Sequence, residues 1–426
     1  MTKRINPPDN NTAIKKKPEL LAPAGGMEQL KAAVRFGADA VYLGAQKFGL
    51  RAFASNFGKS ELEKAVDFAH ENGVKVYVTI NAFIYDDDID SVKETIREVK
   101  TSGADAAIVS DYAVLSLVKE IAPELPLHIS TQANTLSSIT ARHWHELGAS
   151  RIILARELSI ERIKAMRANL PDELELEAFV HGAMCASYSG RCVLSNHMSG
   201  RDANQGECAQ PCRWRYALME EKRPGKYLPI YEDVQGTYIY SANDLCMIDH
   251  MDALCESGIV SLKIEGRMKT EFYVATVTGA YRRAIDLYFA DLTAYHAQKD
   301  KLFTEICRAS HRPLTTGFYF GAPSSPPGDS EYSQHSKYIA AVLAYDEASK
   351  TATVQQKNRF FTGEKLTLLT PNGTFPLTVK NMRSEDGKEV DSAPHPMQIL
   401  TLDCDISVSG GDILRRDMDK DKEDNK

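Results

Sequence analysis

Apolar and polar positions along this chain alternate between two periods. From Leu20 to about Gly266 a unit recurs at intervals of roughly thirty residues: apolar residues at helical spacing, then a glycine, then a short apolar run suited to a buried strand. The joints can be laid over one another as GADAVYLG at Gly37, GVKVYVTIN at Gly73, GADAAIVSD at Gly103, GASRIILARE at Gly148 and GIVSLKIEG at Gly258. Glycine in that place is what a helix needs where it ends in a left-handed turn before a strand. The helical stretches are amphipathic, with Leu62, Ala65, Val66 and Ala69 on one stripe and Ile89, Val92, Ile96 and Val99 on another. Ser60 and Glu63 have the spacing of a capping box at the start of the first.

LLAPAG at Leu20, LHISTQAN at Leu127 and LELEAFVHG at Leu174 raise the predicted strands to eight. Eight strand and helix units over about 250 residues predict an α/β fold of the (β/α)8 TIM-barrel type, with the active site where strands run into their following loops. A doubly wound open sheet is the rival, but no glycine-rich phosphate fingerprint follows any strand. Several strands alternate polar with apolar residues, unlike strands buried on both faces. Tyr77, Thr79 and Asn81 share one face of the third strand, and His128, Ser130, Gln132 and Asn134 one face of the fifth. Glu175, Glu177 and His181 do so on the seventh, and Lys263 and Glu265 on the eighth. Pointing inward, the C-terminal members Asn81, Gln132, Asn134, His181, Glu265 and Arg267 ring one polar pocket; pointing outward, they lie under helices or pair as buried ions.

Beyond the eighth strand, Tyr273, Val277, Tyr281, Ile285 and Tyr288 stripe a long helix that closes the barrel. From about Lys337 the texture changes to short alternating runs punctuated by Asn372-Gly373 and Gly410-Gly411, which predicts a small all-β barrel domain. The expected organisation is a disordered basic leader over 1–18 and a barrel over 19–309 with a cysteine-rich insertion at 181–216. A Gly/Pro/Ser-rich linker over 310–336, the β domain over 337–416 and a disordered tail over 417–426 follow.

Composition narrows the class. The chain has 426 residues, 43% hydrophobic and 26% charged, as in ordinary globular proteins, and no apolar run approaches the 18 residues or so of a membrane span. The leader has no apolar core, so no secretory signal is expected and the cytoplasm is the expected location. A net charge of -7 argues against indiscriminate coating of nucleic acid and leaves room for a local basic patch.

Candidate chemistry concentrates in HGAMCASYSGRCVLSNHMSGRDANQGECAQPCRWRY, from His181 to Tyr216, which holds four of the eight cysteines. Cys185, Cys192, Cys208 and Cys212 are separated by six, fifteen and three residues, among Gly, Ser, Asn and Pro and off any apolar periodic face. Such thiolates can converge on one soft metal centre from a loop. Two disulfides or four unrelated thiols are the alternatives, and a reducing compartment disfavours the first. Structural zinc favours two close pairs, and only Cys208 and Cys212 form one, so an iron-sulfur cluster suits the irregular spacing at least as well. Cys246 is a fifth candidate, able to replace Cys185. Lys357, Arg359, Phe360 and Phe361 combine charge with aromatics as a nucleic-acid contact does.

The runs EAFVHGAMCASYSGRCVLS, LLAPAG, VYLGAQKFGLRAF, ISTQANT, NQGECAQPCRWRY, SLKIEGRMK and TTGFYFG resemble the family catalogued as collagenase-like peptidases of unknown catalytic type, number thirty-two in that series. The resemblance covers nearly the whole chain and is most specific in the cysteine run. Length and β tail are similar to the branch that hydroxylates the tRNA wobble uridine to 5-hydroxyuridine, with prephenate implied as oxygen source. Shorter relatives hydroxylate ubiquinone precursors without O2, and larger ones an rRNA cytidine. The resemblance implies a four-iron, four-sulfur (4Fe-4S) cluster on Cys185, Cys192, Cys208 and Cys212, with Cys246 as the alternative because some relatives take a ligand downstream of the short pair. On this reading the catalytic candidates are His181, Glu265, Arg267, Lys263, Gln132 and Asn134, holding a small dicarboxylate beside a flipped-out base. Arg213, Trp214, Arg215, Lys357 and Arg359 are the expected tRNA contacts, with Trp214 and Phe360 able to stack on bases. A homo-oligomer, or a hetero-oligomer with a family relative, is a further expectation. The peptidase name finds no support in the residues: HExxH and GxSxG are absent, and Ser187 and Ser189 lack a recognisable His and Asp frame.

Overall fold

The structure is a computed structural model that describes residues 16–51, 55–185, 187–192, 194–214, 217–219, 227–229, 243–321 and 333–418. Eight parallel strands close into a barrel: β1 (Glu19–Pro23), β2 (Ala40–Gly44), β3 (Lys75–Ile80), β4 (Ala106–Val109), β5 (Leu127–Ile129), β6 (Ala149–Ile153), β7 (Glu175–Ala183) and β8 (Ser261–Ile264). β8 pairs in parallel with both β7 and β1, which closes the ring. Six helices connect the first seven strands: α1 (Met27–Arg35), α2 (Lys59–Glu71), α3 (Ile89–Ser102), α4 (Tyr112–Ile121), α5 (Ser138–Glu146) and α6 (Ile160–Arg167). The predicted stripes face the sheet, since Leu62, Ala65, Val66 and Ala69 of α2 and Val92, Ile96 and Val99 of α3 are buried.

The glycine joints act as expected. Gly103 ends α3 at φ 78°, a conformation that a Cβ disfavours, and the same left-handed turn recurs at Gly37, Gly73, Gly148 and Gly258. The capping box expected of Ser60 and Glu63 lies two residues earlier. Gly58 is the N-cap, and its N–H donates to Glu61 Oε2 at 3.0 Å, because the chain is still extended at Gly58 and Ser60 is already inside the first turn.

Between β7 and β8 the chain leaves the barrel. It returns through a strand at Asp244–Cys246, antiparallel to the end of β7, and a short helix α7 (Met251–Glu256). After β8, α8 (Glu271–Ala290) packs its Phe272, Tyr273, Val277, Tyr281 and Ile285 inward, and α9 (Leu292–Ile306) folds back on it. The stretch expected to begin a linker is instead part of the barrel. Leu314–Thr315 pairs with Asp244–Leu245, and the Tyr319 hydroxyl donates to the Phe179 carbonyl at 2.6 Å. A Gly/Pro/Ser-rich composition follows from the tight turns this path needs as readily as from freedom to move.

The C-terminal domain is antiparallel and all-β. Its strands are β9 (Ser336–Asp346), β10 (Thr351–Gln356), β11 (Lys365–Thr370), β12 (Gly373–Thr378), β13 (Arg383–Ser384), β14 (Ile399–Asp403) and β15 (Ile413–Asp417). They form one sheet in the order β12-β11-β15-β9-β10-β14-β13, with a separate core that includes Ile339, Val354, Phe360, Leu368 and Leu400. The domain is bound firmly to the barrel helices. Leu369 and Ile413 join the barrel's own apolar cluster, and Tyr338 stacks on Phe272 with ring centroids 5.6 Å apart. Arg415 grips both oxygens of Glu305 on α9, at 2.5 and 2.9 Å, and Arg35 of α1 reaches Asp412 at 2.5 Å.

Removing one partner of such a buried pair leaves an uncompensated charge. Glu305→Ala should lower the unfolding free energy by about 3 kcal/mol, the low end for a buried pair, because Arg415 keeps Asp417 at 2.9 Å. Denaturant unfolding followed by circular dichroism measures this; a change under about 0.5 kcal/mol, the range of ordinary surface substitutions, would show that the domain contact is apolar alone.

Candidate functional site

The interior of the barrel is polar, and its lower part is internally neutralised. Arg151 bonds Glu19 at 2.6 Å, Glu175 at 2.7 Å and Glu177 at 3.1 Å, while Lys263 bonds the other oxygen of Glu177 at 2.8 Å. Burial raises the Glu19 carboxyl, but the charge and hydrogen bonds of Arg151 override this and leave it below its ordinary value. Of the polar faces read from the sequence, Tyr77, His128, Glu177 and Lys263 thus do point inward, the aromatic pair meeting edge to face at 4.7 Å.

One cavity opens above this layer, at the C-terminal ends of the strands. Its walls include Tyr42, Arg51, Thr79, Asn81, Gln132, Arg156, Phe179, Lys263, Glu265 and Arg267, together with Cys185, Cys192, Cys208 and Cys212. Arg267 is 4% exposed; its Nη1 donates to Thr79 Oγ1 at 2.9 Å, its Nη2 donates to Asn56 Oδ1 at 2.5 Å, and its Nε has no acceptor among the described residues. No carboxylate pairs with it among those residues, and burial pulls the guanidinium down to about 10. Gly44, at the end of β2, makes room for it, because a Cβ there would stand 2.2 Å from Arg267 Nη2. Burial alone would raise the Glu265 carboxyl, but Arg51, Arg156, Arg267 and Lys263 hold it below its ordinary range.

The cysteine loop folds over one side of this cavity. Cys185, Cys192 and Cys208 are free thiols. Short side chains pin the loop: Ser189 N–H donates to Glu157 Oε1 at 2.8 Å, Asn134 Nδ2 to the Ser189 carbonyl at 3.0 Å, and Asn204 Nδ2 to the Cys192 carbonyl at 2.9 Å. The Gln210 N–H points at Cys208 Sγ at 3.4 Å, the kind of donor that stabilises a metal-bound thiolate. Gly190 must be glycine twice over, with φ 72° and a Cβ position 2.0 Å from the Gln132 carbonyl oxygen. Among the described residues no three His, Cys, Asp or Glu side chains come close enough to hold a single metal ion. A donor set of four cysteines around one cavity, with an N–H aimed at sulfur, fits a polynuclear centre at least as well as a zinc ion.

Several expected site residues stand elsewhere. His181 is buried outside the barrel wall, its ring 5.6 Å from that of Tyr281 and 6.0 Å from that of Tyr273. The cause is a bulge: pairing steps from Lys263↔Phe179 to Ile264↔His181, which turns His181 to the helix side with Ile264. Asn134 supports the loop and does not border the cavity. Cys246 lies across from His181 in the same strand pair, 7% exposed, and burial pushes its thiol up to about 12, so it is remote from the four loop cysteines in environment. Lys357 is engaged with Glu271 of α8 at 3.3 Å, and Phe360 is fully buried, which removes both from an RNA-facing surface. Arg359 is exposed over the Phe361 ring at 4.9 Å, and Trp214 is 45% exposed beside Cys212. Arg215 and the side chain of Arg213 lie outside what the structure describes.

The sequence reading missed Arg51, Arg156 and Asn56. Arg156 was findable, since it follows β6 directly on the side where barrel sites form. Arg51 and Asn56 lie in the loop after β2, whose path no periodicity predicts.

A (β/α)8 barrel with a cysteine-walled, cationic mouth and an appended β domain is the class that fold and site define. Residues 25–327 match the model for peptidase family U32, and residues 334–415 match the peptidase family U32 C-terminal domain. The chain belongs to that family. It is 38% identical over 409 residues to tRNA hydroxylation protein P1 of Bacillus subtilis (strain 168), covering 95% of this chain and 96% of that one. It is 34% identical to tRNA hydroxylation protein P of Escherichia coli (strain K12), with 89% and 92% covered. The 23S rRNA 5-hydroxycytidine C2501 synthase of the same organism is 37% identical over 268 residues, which are 63% of this chain and 39% of that protein. No helix among the described residues is long and apolar enough to cross a membrane.

His181 gives a pH prediction. Burial pulls its imidazole from 6.5 to about 3, so between those values the unfolded chain binds a proton that the folded chain does not. Its contribution to stability is therefore present above pH 6.5 and lost as pH falls toward 3, at up to about 1.4 kcal/mol per pH unit. His181→Gln should flatten that arm of the stability profile, measured by denaturant unfolding from pH 7 to pH 4, and should leave turnover near the parent value. A tenfold loss of turnover with the profile unchanged would return His181 to the active site.

Proposed function

We propose that this chain is a tRNA hydroxylase that forms 5-hydroxyuridine at the wobble position, with a 4Fe-4S cluster on Cys185, Cys192, Cys208 and Cys212 and prephenate as the oxygen donor. What supports it most is one cavity lined both by four cysteine side chains and by a buried arginine that has no carboxylate partner among the described residues. Near full-length similarity to two proteins named for tRNA hydroxylation favours tRNA over rRNA, because the chain spans only 39% of the rRNA enzyme. A cluster held by these thiols supplies one-electron chemistry when bound.

The chain's own groups have separable tasks. Arg267 offers its forked donors to a carboxylate, and its burial keeps competing water away. Glu265, held ionised by Arg51 and Arg156, borders the same space and can orient a hydroxyl or accept a proton. A pyrimidine must leave its stack to reach this depth, and Trp214 stands exposed near the thiols where a neighbouring base can stack. Arg359 provides cationic surface on the β domain.

Cells lacking the protein should lose 5-hydroxyuridine from tRNA digests analysed by nucleoside mass spectrometry, and an unchanged nucleoside profile would sink the reading. Anaerobically purified protein should carry four irons and four sulfides per chain, about as many as one cluster requires. Single Cys→Ala changes at positions 185, 192, 208 and 212 should remove them, while Cys246→Ala should not. Stoichiometric zinc without labile sulfide would refute the cluster.

Arg267→Gln should raise the KM for the carboxylate donor roughly 10- to 100-fold, the range for hydrogen bonds to a charged group, with iron content unchanged. Steady-state kinetics with the donor varied decides this; parent KM would place the donor elsewhere.

A further inference from the structure

Among the described residues four cations line the cavity, and their partners differ. Lys263 is matched by Glu177 at 2.8 Å, and Arg156 donates to the Ala183 carbonyl at 2.8 Å and reaches Glu265 Oε2 at 3.4 Å. Among the described residues Arg267 touches only neutral oxygens. Arg51 stands 3.5 Å from Glu265 Oε1, so that two guanidiniums share this one carboxylate. Glu265 alone does not balance both guanidiniums, and Arg51 lines the wall shared with the cysteines.

The loop that carries Arg51 is built to keep it there. Phe48, Arg51 and Asn56 adopt φ values of 60°, 78° and 47°, three non-glycine residues in the left-handed region within one loop. Such backbone persists only where surrounding contacts enforce it, and here they do. The Leu50 N–H donates to Asn81 Oδ1 at 3.1 Å, and Asn56 Nδ2 donates to the Arg51 carbonyl at 3.4 Å while its Oδ1 accepts from Arg267. Asn56 therefore locks the backbone of one surplus arginine to the side chain of the other.

We propose that Arg51 is the counter-ion of the cysteine centre, a positioning residue whose fixed positive charge offsets the negative charge that four thiolates bring into the cavity and stabilises an electron added to the metal centre they hold. This rests on the cluster assigned above. Arg267 and Arg51 then divide the surplus charge: the deeper one serves the carboxylate substrate and the outer one serves the thiolates. A cation held at fixed distance in a partly buried site favours the more reduced, more negative state of its neighbour.

The test is the midpoint potential of the bound cluster, read by anaerobic redox titration with absorption and electron paramagnetic resonance, in the parent, Arg51→Gln and Arg51→Lys. Arg51→Gln should shift the potential to more negative values and Arg51→Lys should restore most of it. If Arg51→Gln cannot retain iron while Arg51→Lys retains the parent amount, the charge is required already for assembly and the proposal stands. Parent potential in Arg51→Gln, or equal loss of iron in both variants, overturns it. A parent protein that binds no cluster at all is a different result, since it removes the centre itself and with it the assignment under Proposed function.

Discussion

Inside the barrel, Glu19, Arg151, Glu177 and Lys263 neutralise one another, and the guanidinium of Arg267 one layer higher has no carboxylate partner among the described residues. Burying an ion without a partner is among the most expensive things a protein core can do, and it is tolerated where hydrogen bonds fix the group and a ligand completes it. Thr79, Asn56 and the bare Gly44 make that fixation possible. The lower ions act as a rigid plug beneath them. They fill the narrow end of the barrel with paired charge where most such barrels use branched apolar side chains, so the polar interior ends in a cavity and not in a channel.

The cysteine loop depends on the same mouth. It has little regular structure, with one short helix at Leu194–Ser199, and holds its shape through Glu157, Asn134, Asn204 and Ser195, which bond its backbone from the barrel side and from within. Loops fixed in this way present backbone N–H groups to sulfur, as at Cys208, and keep thiols facing inward without an apolar core of their own. Arg51, Arg156, Lys263 and Arg267 line the same cavity as the cysteines and make it favourable to negative charge.

The β domain serves the barrel through its grip on α1, α8 and α9. Stacked Phe272 and Tyr338, the Glu305–Arg415 fork and the Arg35–Asp412 pair fix it against the barrel, while Lys357 is bound to Glu271 at the start of α8, the end from which the site opens. An appended domain held so tightly keeps a constant geometry relative to the barrel, which a flexible tether would not.

The barrel was legible because its signals are local. Each glycine joint records a left-handed helix end, each stripe a face toward the sheet, and eight repeats suffice to close a ring. The four loop cysteines were legible for a similar reason, since their environment of Gly, Ser and Asn is written beside them. What sequence could not decide was direction after a break in the alternation. His181 follows Glu177 and Phe179 by period two, yet one bulge opposite Lys263 and Ile264 turns it away, and the same pair of strands buries Cys246 with it. Nor could it decide pairing at a distance: Lys357 reads as a free surface cation until Glu271, far off in sequence, is packed against it. Arg51 and Asn56 entered the site through left-handed loop residues that carry no periodic mark. Helix ends and strand faces depend on neighbours within a few residues, whereas charge compensation depends on which chain segments meet, and only the folded barrel brings those segments together.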